Sequence, residues 1–237
     1  MRMIRTKTDK KDASMIREYG LTEQPPLWKP AEASITGLKN LNTVIDLLDK
    51  NITALSNQLQ ALKEMPDTSI GLLGSLEKII AENKEARDQL ETEMDQLAKK
   101  EYRKSYEALQ SIPGIGSKSA AMLIAVTGNF KKFNHYKELI AYVGLNPRVY
   151  ESGTSIKGKG HICKMGTGRL RKLLYMCSWS AKRYNIYCKE MYERLKAKHK
   201  PEKVIKVAIA NKLLRQAFAI GKSLNNFEIN YQKIVAN

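Results

Sequence analysis

From Leu38 onward the apolar side chains fall at Leu38, Leu41, Ile45, Leu48, Ile52, Leu55, Leu59 and Leu62, with spacings that alternate between 3 and 4. This heptad seam predicts a helix of about 25 residues, roughly 37 Å long at 1.5 Å per residue, whose narrow stripe needs a facing helix. Met65-Pro66-Asp67 is expected to end it, with Gly71 and Gly74 marking a turn. Leu76, Ile80, Leu90, Met94 and Leu97 then recur at near-heptad spacing, interrupted by Asn83 and Arg87 at seam positions. The simplest arrangement is an antiparallel coiled-coil hairpin whose polar seam residues fix register or turn towards another subunit. A solvated spacer without chemistry is the plainer reading of this segment.

The flanks differ in character. Residues 1–20 read as a short basic strand or loop followed by a helix carrying Ala13, Met15 and Ile16. The run Gln24-Pro25-Pro26-Leu27-Trp28-Lys29-Pro30 reads as a linker, since each proline removes a donor and pushes its predecessor to extended geometry. After Tyr102 the pattern changes to shorter helices, glycine turns and basic faces. Residues 120–126 are apolar all round and 136–143 form a short amphipathic helix. Longer helices over 170–184 and 204–220 carry Leu173, Leu174, Cys177 and Ala181, then Ile205, Ala208, Ile209, Leu213 and Phe218, on their inner faces. The fold class is mainly α, with expected divisions at 1–30, 31–104 and 105–237.

Charge sharpens this division. Lysine and arginine number 41 against 24 aspartates and glutamates, a net +17. Residues 1–110 hold 17 basic and 18 acidic side chains, whereas residues 111–237 hold 24 basic and 6 acidic, which is +18. Such a charge repels itself unless a polyanion is the usual partner. Nucleic acid is favoured over a membrane surface, because no run of 18 apolar residues and no leader or lipidation signal is present. Cys163, Cys177 and Cys188 are odd in number and lack CxxC spacing, which argues against a zinc ribbon or disulfide framework and fits a reducing cytoplasm.

Three segments could carry chemistry. Ser111-Ile112-Pro113-Gly114-Ile115-Gly116-Ser117-Lys118 has the pattern of a helix-hairpin-helix, in which Gly114 and Gly116 bring backbone N–H groups to a phosphate and Lys118 adds charge. A plain connection whose glycines serve packing is the alternative. Residues 144–171 alternate glycines, hydroxyls and cations, among them Ser152, Ser155, Lys157, Lys159, Lys164, Arg169 and Arg171. Such a loop can wrap a phosphodiester and present one hydroxyl, with Gly153 leaving room beside Ser152; the residues alone leave open whether it only binds or also attacks. Asp9 and Asp12 share one helical face and could hold one side of a Mg²⁺ site, although a capping Asp beside lysines is commoner. All seven aspartates precede residue 111, so the basic half is poorly equipped for a two-metal nuclease site, and His135, His161 and His199 are too dispersed for a metal cage.

Taken in order, Lys7-Thr8-Asp9-x-x-Asp12-Ala13, the Trp-Pro linker, the helical hairpin, Ile112-Pro113-Gly114-Ile115-Gly116, Ala141-Tyr142-x-Gly144-Leu145-x-Pro147, Ser152-Gly153 and Gly166-x-x-x-Leu170-Arg171 resemble the transposases of insertion-sequence family 110 and its 116/902 relatives. The resemblance spans nearly the whole chain. It implies a RuvC-like domain with four acidic residues, a coiled coil, and a C-terminal transposase domain with a serine nucleophile. It also implies a structured noncoding RNA that pairs with donor and target DNA, and a covalent serine–DNA phosphate link.

By position, Asp9 and Asp12 look like the last two acids, with Mg²⁺ as the implied cofactor, and Ser152 like the nucleophile. On this resemblance the first half of the RuvC-like fold is expected to be missing before Met1, so that the chain resembles an N-terminally truncated transposase. The expected function is DNA strand exchange, with DNA, RNA and a second copy of the chain as partners, in a cytoplasmic, nucleoid-associated setting. An inactive nucleic-acid-binding remnant is the first alternative. A coiled-coil assembly protein docking on an acidic partner is the second.

Overall fold

A computed structural model of the chain describes residues 8–25, 27, 30–148, 151–152, 156–157 and 161–228. Among these, nine helices account for almost all regular structure, and the only strands are four two-residue segments. The mainly helical expectation holds. The chain divides into two compact units, Met1–Ala31 and Glu32–Asn237.

The first unit contains α1 (Asp9–Glu23), which buries no side chain. Thr8 caps it, accepting from the Lys11 amide at 3.4 Å, and Asp9 and Asp12 sit in the first turn, where carboxylates complement the helix dipole.

The second unit opens with α2 (Ala33–Lys63) and α3 (Ile70–Glu101), which pack antiparallel. Their pairing runs from Ser34 beside Tyr102 (2.5 Å), through Asp49 beside Arg87 (3.7 Å), to Lys63 with Glu77 (2.8 Å). The seam predicted from spacing is the seam observed: Leu38, Ile45 and Ile52 are buried, and Leu41, Leu48, Leu55, Leu59 and Leu62 are half-buried. One correction concerns the turn. Gly71 and Gly74 lie inside α3, and the chain reverses between Glu64 and Ser69, where Pro66 blocks helix propagation. The polar seam residues are satisfied within the hairpin: Asn83 donates to the Ile79 carbonyl at 2.9 Å, and Arg87 reaches Asp88 at 2.8 Å as well as Asp49.

Tyr102 ends α3 and begins α4 (Arg103–Gln110), after which residues 111–116 lead into α5 (Ser117–Thr127). α5 is sheathed on every side, with Ala120 through Ala125 all buried, in keeping with its apolar sequence. Around it pack α6 (Tyr136–Val143), α7 (Gly168–Tyr184), α8 (Ile186–Ala197) and α9 (Glu202–Ser223). Leu109, Ile112, Leu123, Ile124, Leu139, Leu170, Leu174, Ile205 and Ile209 are fully enclosed between them. Each contributes about 1.5–3 kcal/mol of hydrophobic stabilisation. The same core runs through Ala98 and Met94 into the base of the hairpin, so hairpin and helical body share one apolar interior.

Candidate functional site

The segment between α6 and α7 leaves the helical body and returns to it as a ribbon. β1 (Pro147–Arg148) pairs with β4 (His161–Ile162), and β2 (Glu151–Ser152) with β3 (Ile156–Lys157), both antiparallel. Pro147 faces Ile162 and Arg148 faces His161; further out, Glu151 faces Lys157 and Ser152 faces Ile156. Ser152 is therefore the last paired residue before residues 153–155 join the two outer strands. Gly153, Ser155 and Lys159 lie outside the described residues, and for Ser152 and Lys157 the backbone alone is described.

The stem of the ribbon is fixed to the body by direct backbone contact. The Cys163 amide donates to the Asn146 carbonyl at 2.9 Å and the Lys164 amide to the Gly144 carbonyl at 3.2 Å. Gly144 (φ +76°) ends α6, and Gly166 (φ +102°) precedes α7. A Cβ on Gly144 would run into the Met165 carbonyl and one on Gly166 into the Tyr142 carbonyl, so this crossing requires glycine on both sides. Arg171, from the first turn of α7, donates to the Val143 carbonyl at 2.7 Å and so satisfies an open acceptor at the end of α6. Leu145 is buried, and its carbonyl accepts from Asn211 of α9 at 3.4 Å. Three helices thus hold the stem, while Lys164 stays exposed beside it.

The turn between α4 and α5 divides the roles of its glycines. Gly114 (φ +106°) is packed on α7: a Cβ there would lie 2.7 Å from that of Ala181. Gly116 is the N-cap of α5 and faces open space. Lys118, one residue into α5, is ion-paired with Glu91 of α3. Arg169 also turns towards the hairpin, donating to the Asn42 carbonyl and lying 4.0 Å from Asp46 and 3.9 Å from Asp49. Burial pushes its guanidinium below the ordinary value, opposed by Asp46, Asp49 and Glu91. These partners line a cleft of about 640 Å³ between the hairpin and α5 and α7. Sequence reading did not foresee it, although Asp46 and Asp49 each follow a seam position directly and so flank the stripe.

Asp9 and Asp12 belong to the first unit, on the first turn of α1. Two carboxylates supply one side of an octahedral oxygen site and no more. Among the described residues no group of three or more His, Cys, Asp or Glu side chains is placed to share a metal ion. Among them too, no helix is long and apolar enough to cross a membrane.

The sequence has known relatives. The family model described as "Transposase IS116/IS110/IS902 family" matches residues 106–193, which span α4 to most of α8 and include the whole ribbon. The pilin gene-inverting protein of Moraxella lacunata is 32% identical over 229 residues, covering 95% of this chain and 69% of that protein. The pilin gene-inverting protein of Moraxella bovis is 31% identical over the same shares. The transposase for insertion sequence element IS1111A of Coxiella burnetii is 26% identical over 195 residues, 71% of this chain and 53% of its own length. With a third of its residues shared along nearly all of its length, and the family model lying across the ribbon, this chain belongs to the IS116/IS110/IS902 transposase family.

Proposed function

We propose that this chain is a DNA recombinase of an insertion sequence, which exchanges strands through a phosphodiester between Ser152 and DNA under the guidance of a structured noncoding RNA. The observation that carries it is the place of Ser152. It is the last paired residue of a two-stranded ribbon, bordered by glycines and lysines, whose stem is locked to three helices. A fixed stem with a small, basic outer end suits a group that must enter a phosphodiester backbone at defined geometry. The names of the Moraxella relatives, which refer to gene inversion, and of the Coxiella relative, a transposase, support the reaction class.

In the proposed step the Ser152 Oγ bonds to phosphorus, the bond from phosphorus to one sugar oxygen breaks, and the serine proton leaves while the departing oxygen gains one. A new sugar hydroxyl then reverses the step, so one phosphodiester is conserved throughout and no external energy source is needed. Lys157, Lys159 and Lys164 are the cations of the ribbon that would stabilise the developing charge. Lys118, Arg169, Arg171 and Gly114 support the frame through the contacts above, with phosphate contact falling to Gly116 and the exposed lysines. Asp9 and Asp12 would offer two oxygens to a Mg²⁺ ion, with further donors coming from elsewhere. Self-association would use the hairpin, whose Val44, Leu47 and Ile79 are exposed, in a nucleoid-associated cytoplasmic protein.

Incubating the purified chain with the element's RNA and a labelled DNA junction tests the serine assignment. The expected result is a detergent-resistant protein–DNA adduct with the native chain and with Ser155→Ala, and none with Ser152→Ala. An adduct that survives Ser152→Ala would overturn it. Binding without any adduct would leave the non-catalytic reading standing.

A further inference from the structure

Outside the ribbon, one exposed face of α7 has an order that neither packing nor strand exchange uses. Lys172, Met176, Trp179 and Arg183 follow one another at helical spacing, and all four are exposed. Trp179 keeps 46% of its surface open, a large apolar area to leave uncovered on a domain otherwise rich in cations.

The ring is braced from behind. The Lys206 ammonium, on α9, lies 3.3 Å from its centroid, a distance that only a position over the ring face permits. Lys206 is itself 4% exposed, and its Nζ is 3.4 Å from Glu202, which also holds Lys182 at 3.0 Å. Lys182 in turn lies 5.4 Å from the Trp179 centroid. One face of the indole is therefore occupied by a buried, ion-paired ammonium, and the open area belongs to the other face and edge. A ring held this way loses little further freedom on stacking.

We infer that the exposed face of Trp179 is a stacking platform for an unpaired nucleobase, with Lys172 and Arg183 on either side taking the adjoining phosphates. The inference deepens the nucleic-acid reading given above and rests on it. Charge complementarity selects the occupant: the stripe is cationic at both ends, apolar in the middle, and set in the half of the chain that carries +18. Single-stranded binding surfaces combine those two elements, and stacking tolerates any base because every base has a π face. Bases inside a duplex are already covered on both faces, so the platform favours single strands, of DNA or RNA.

The test uses the full chain with Trp28→Phe, which leaves Trp179 as the sole tryptophan. Fluorescein-labelled oligo(dT), oligo(U) and a duplex of equal length are titrated at low salt, following label anisotropy and tryptophan emission together. The expected result is binding of all three with Trp179 quenched by single strands alone. Trp179→Ala should weaken single-strand affinity about tenfold, leave duplex affinity unchanged, and be largely rescued by Trp179→Phe. Quenching by oligo(dT) alone or oligo(U) alone supports the platform and assigns it to one strand type. Single-strand binding without quenching, or with equal affinity for Trp179→Ala, overturns the platform and leaves the nucleic-acid reading intact. Failure of every oligonucleotide to bind overturns that reading, and the platform with it.

Discussion

At the scale of single residues, backbone geometry at the ribbon stem and the fate of the thiols lead to separate measurements. Gly144 and Gly166 combine a positive φ with a carbonyl where a Cβ would stand. Either alanine substitution should therefore lower unfolding free energy by at least about 2 kcal/mol, measurable by urea denaturation, whereas Gly74→Ala inside α3, where nothing lies within 4 Å, should be neutral or stabilising. The cysteines differ through burial. Cys188 is fully enclosed and burial pushes its thiol up to about 12; Cys177 is raised by burial as well, while Cys163 is only half-buried. In the folded chain an aromatic disulfide reagent at pH 8 should titrate one thiol quickly and two slowly, with the fast phase lost in Cys163→Ser. The sign of the pH effect follows from linkage. An unfolded Cys188 ionises near its ordinary value of 9.0, while the folded one retains its proton to about 12. Its contribution is intact below pH 9 and fades as pH rises from there towards 12. Stability measured at pH 8 and pH 10.5 should accordingly fall more in the native chain than in Cys188→Ala.

Whole elements show what a one-dimensional pattern can and cannot reveal. The seam from Leu38 to Leu62 was legible because two helices packed along a stripe impose a period of 3 and 4 on every turn. α6 was legible to the residue, since His135 accepts from the Lys137 amide at its start and Gly144 adopts the left-handed cap at its end. α8 escaped notice: Cys188 is its only fully buried residue, too sparse a stripe to stand out. The ribbon escaped because two-residue strands among glycines and lysines show no alternation. The proposal for Ser152 rests on its Ser-Gly setting, its place in the ribbon and the resemblance, and composition gave no hint of which cations are used internally. Arg169 is the clearest case, a cation of the basic loop that turns inward to the hairpin. Replacing it with Met removes the cation that Asp46 and Asp49 share and leaves them only their separate partners, Lys50 and Arg87. Because both carboxylates keep solvent contact, the expected cost is about 1–2 kcal/mol by denaturant titration, not the larger value of a sealed pair. A double-mutant cycle with Asp49→Asn should show coupling, and its absence would mean that the two side chains act independently.

For the molecule as a whole, the question is how a body carrying +18 stays joined to a hairpin that holds 12 acidic and 8 basic side chains over residues 33–101. Part of the answer is the set of ion pairs across their boundary: Lys118 with Glu91, Arg169 with Asp46 and Asp49, and Lys131 with Glu32. The hairpin carboxylates occupy cations that phosphate oxygens would otherwise take. Nucleic acid approaching the cleft thus competes with the protein's own acids, and only cations that are free or released contribute to counterion release. Changing Asp46 and Asp49 to Asn and Glu91 to Gln takes the carboxylates away from Lys118 and Arg169 without touching the ribbon, and leaves Arg169 its bond to the Asn42 carbonyl. Duplex affinity should rise, and the slope of log affinity against log salt should steepen by about 1–2, close to 0.9 for each phosphate gained. The rise should be largest at low salt and vanish as the ions screen it. An unchanged slope would mean that Lys118 and Arg169 meet no phosphate even when released, and that they serve only to seat the hairpin against α5 and α7.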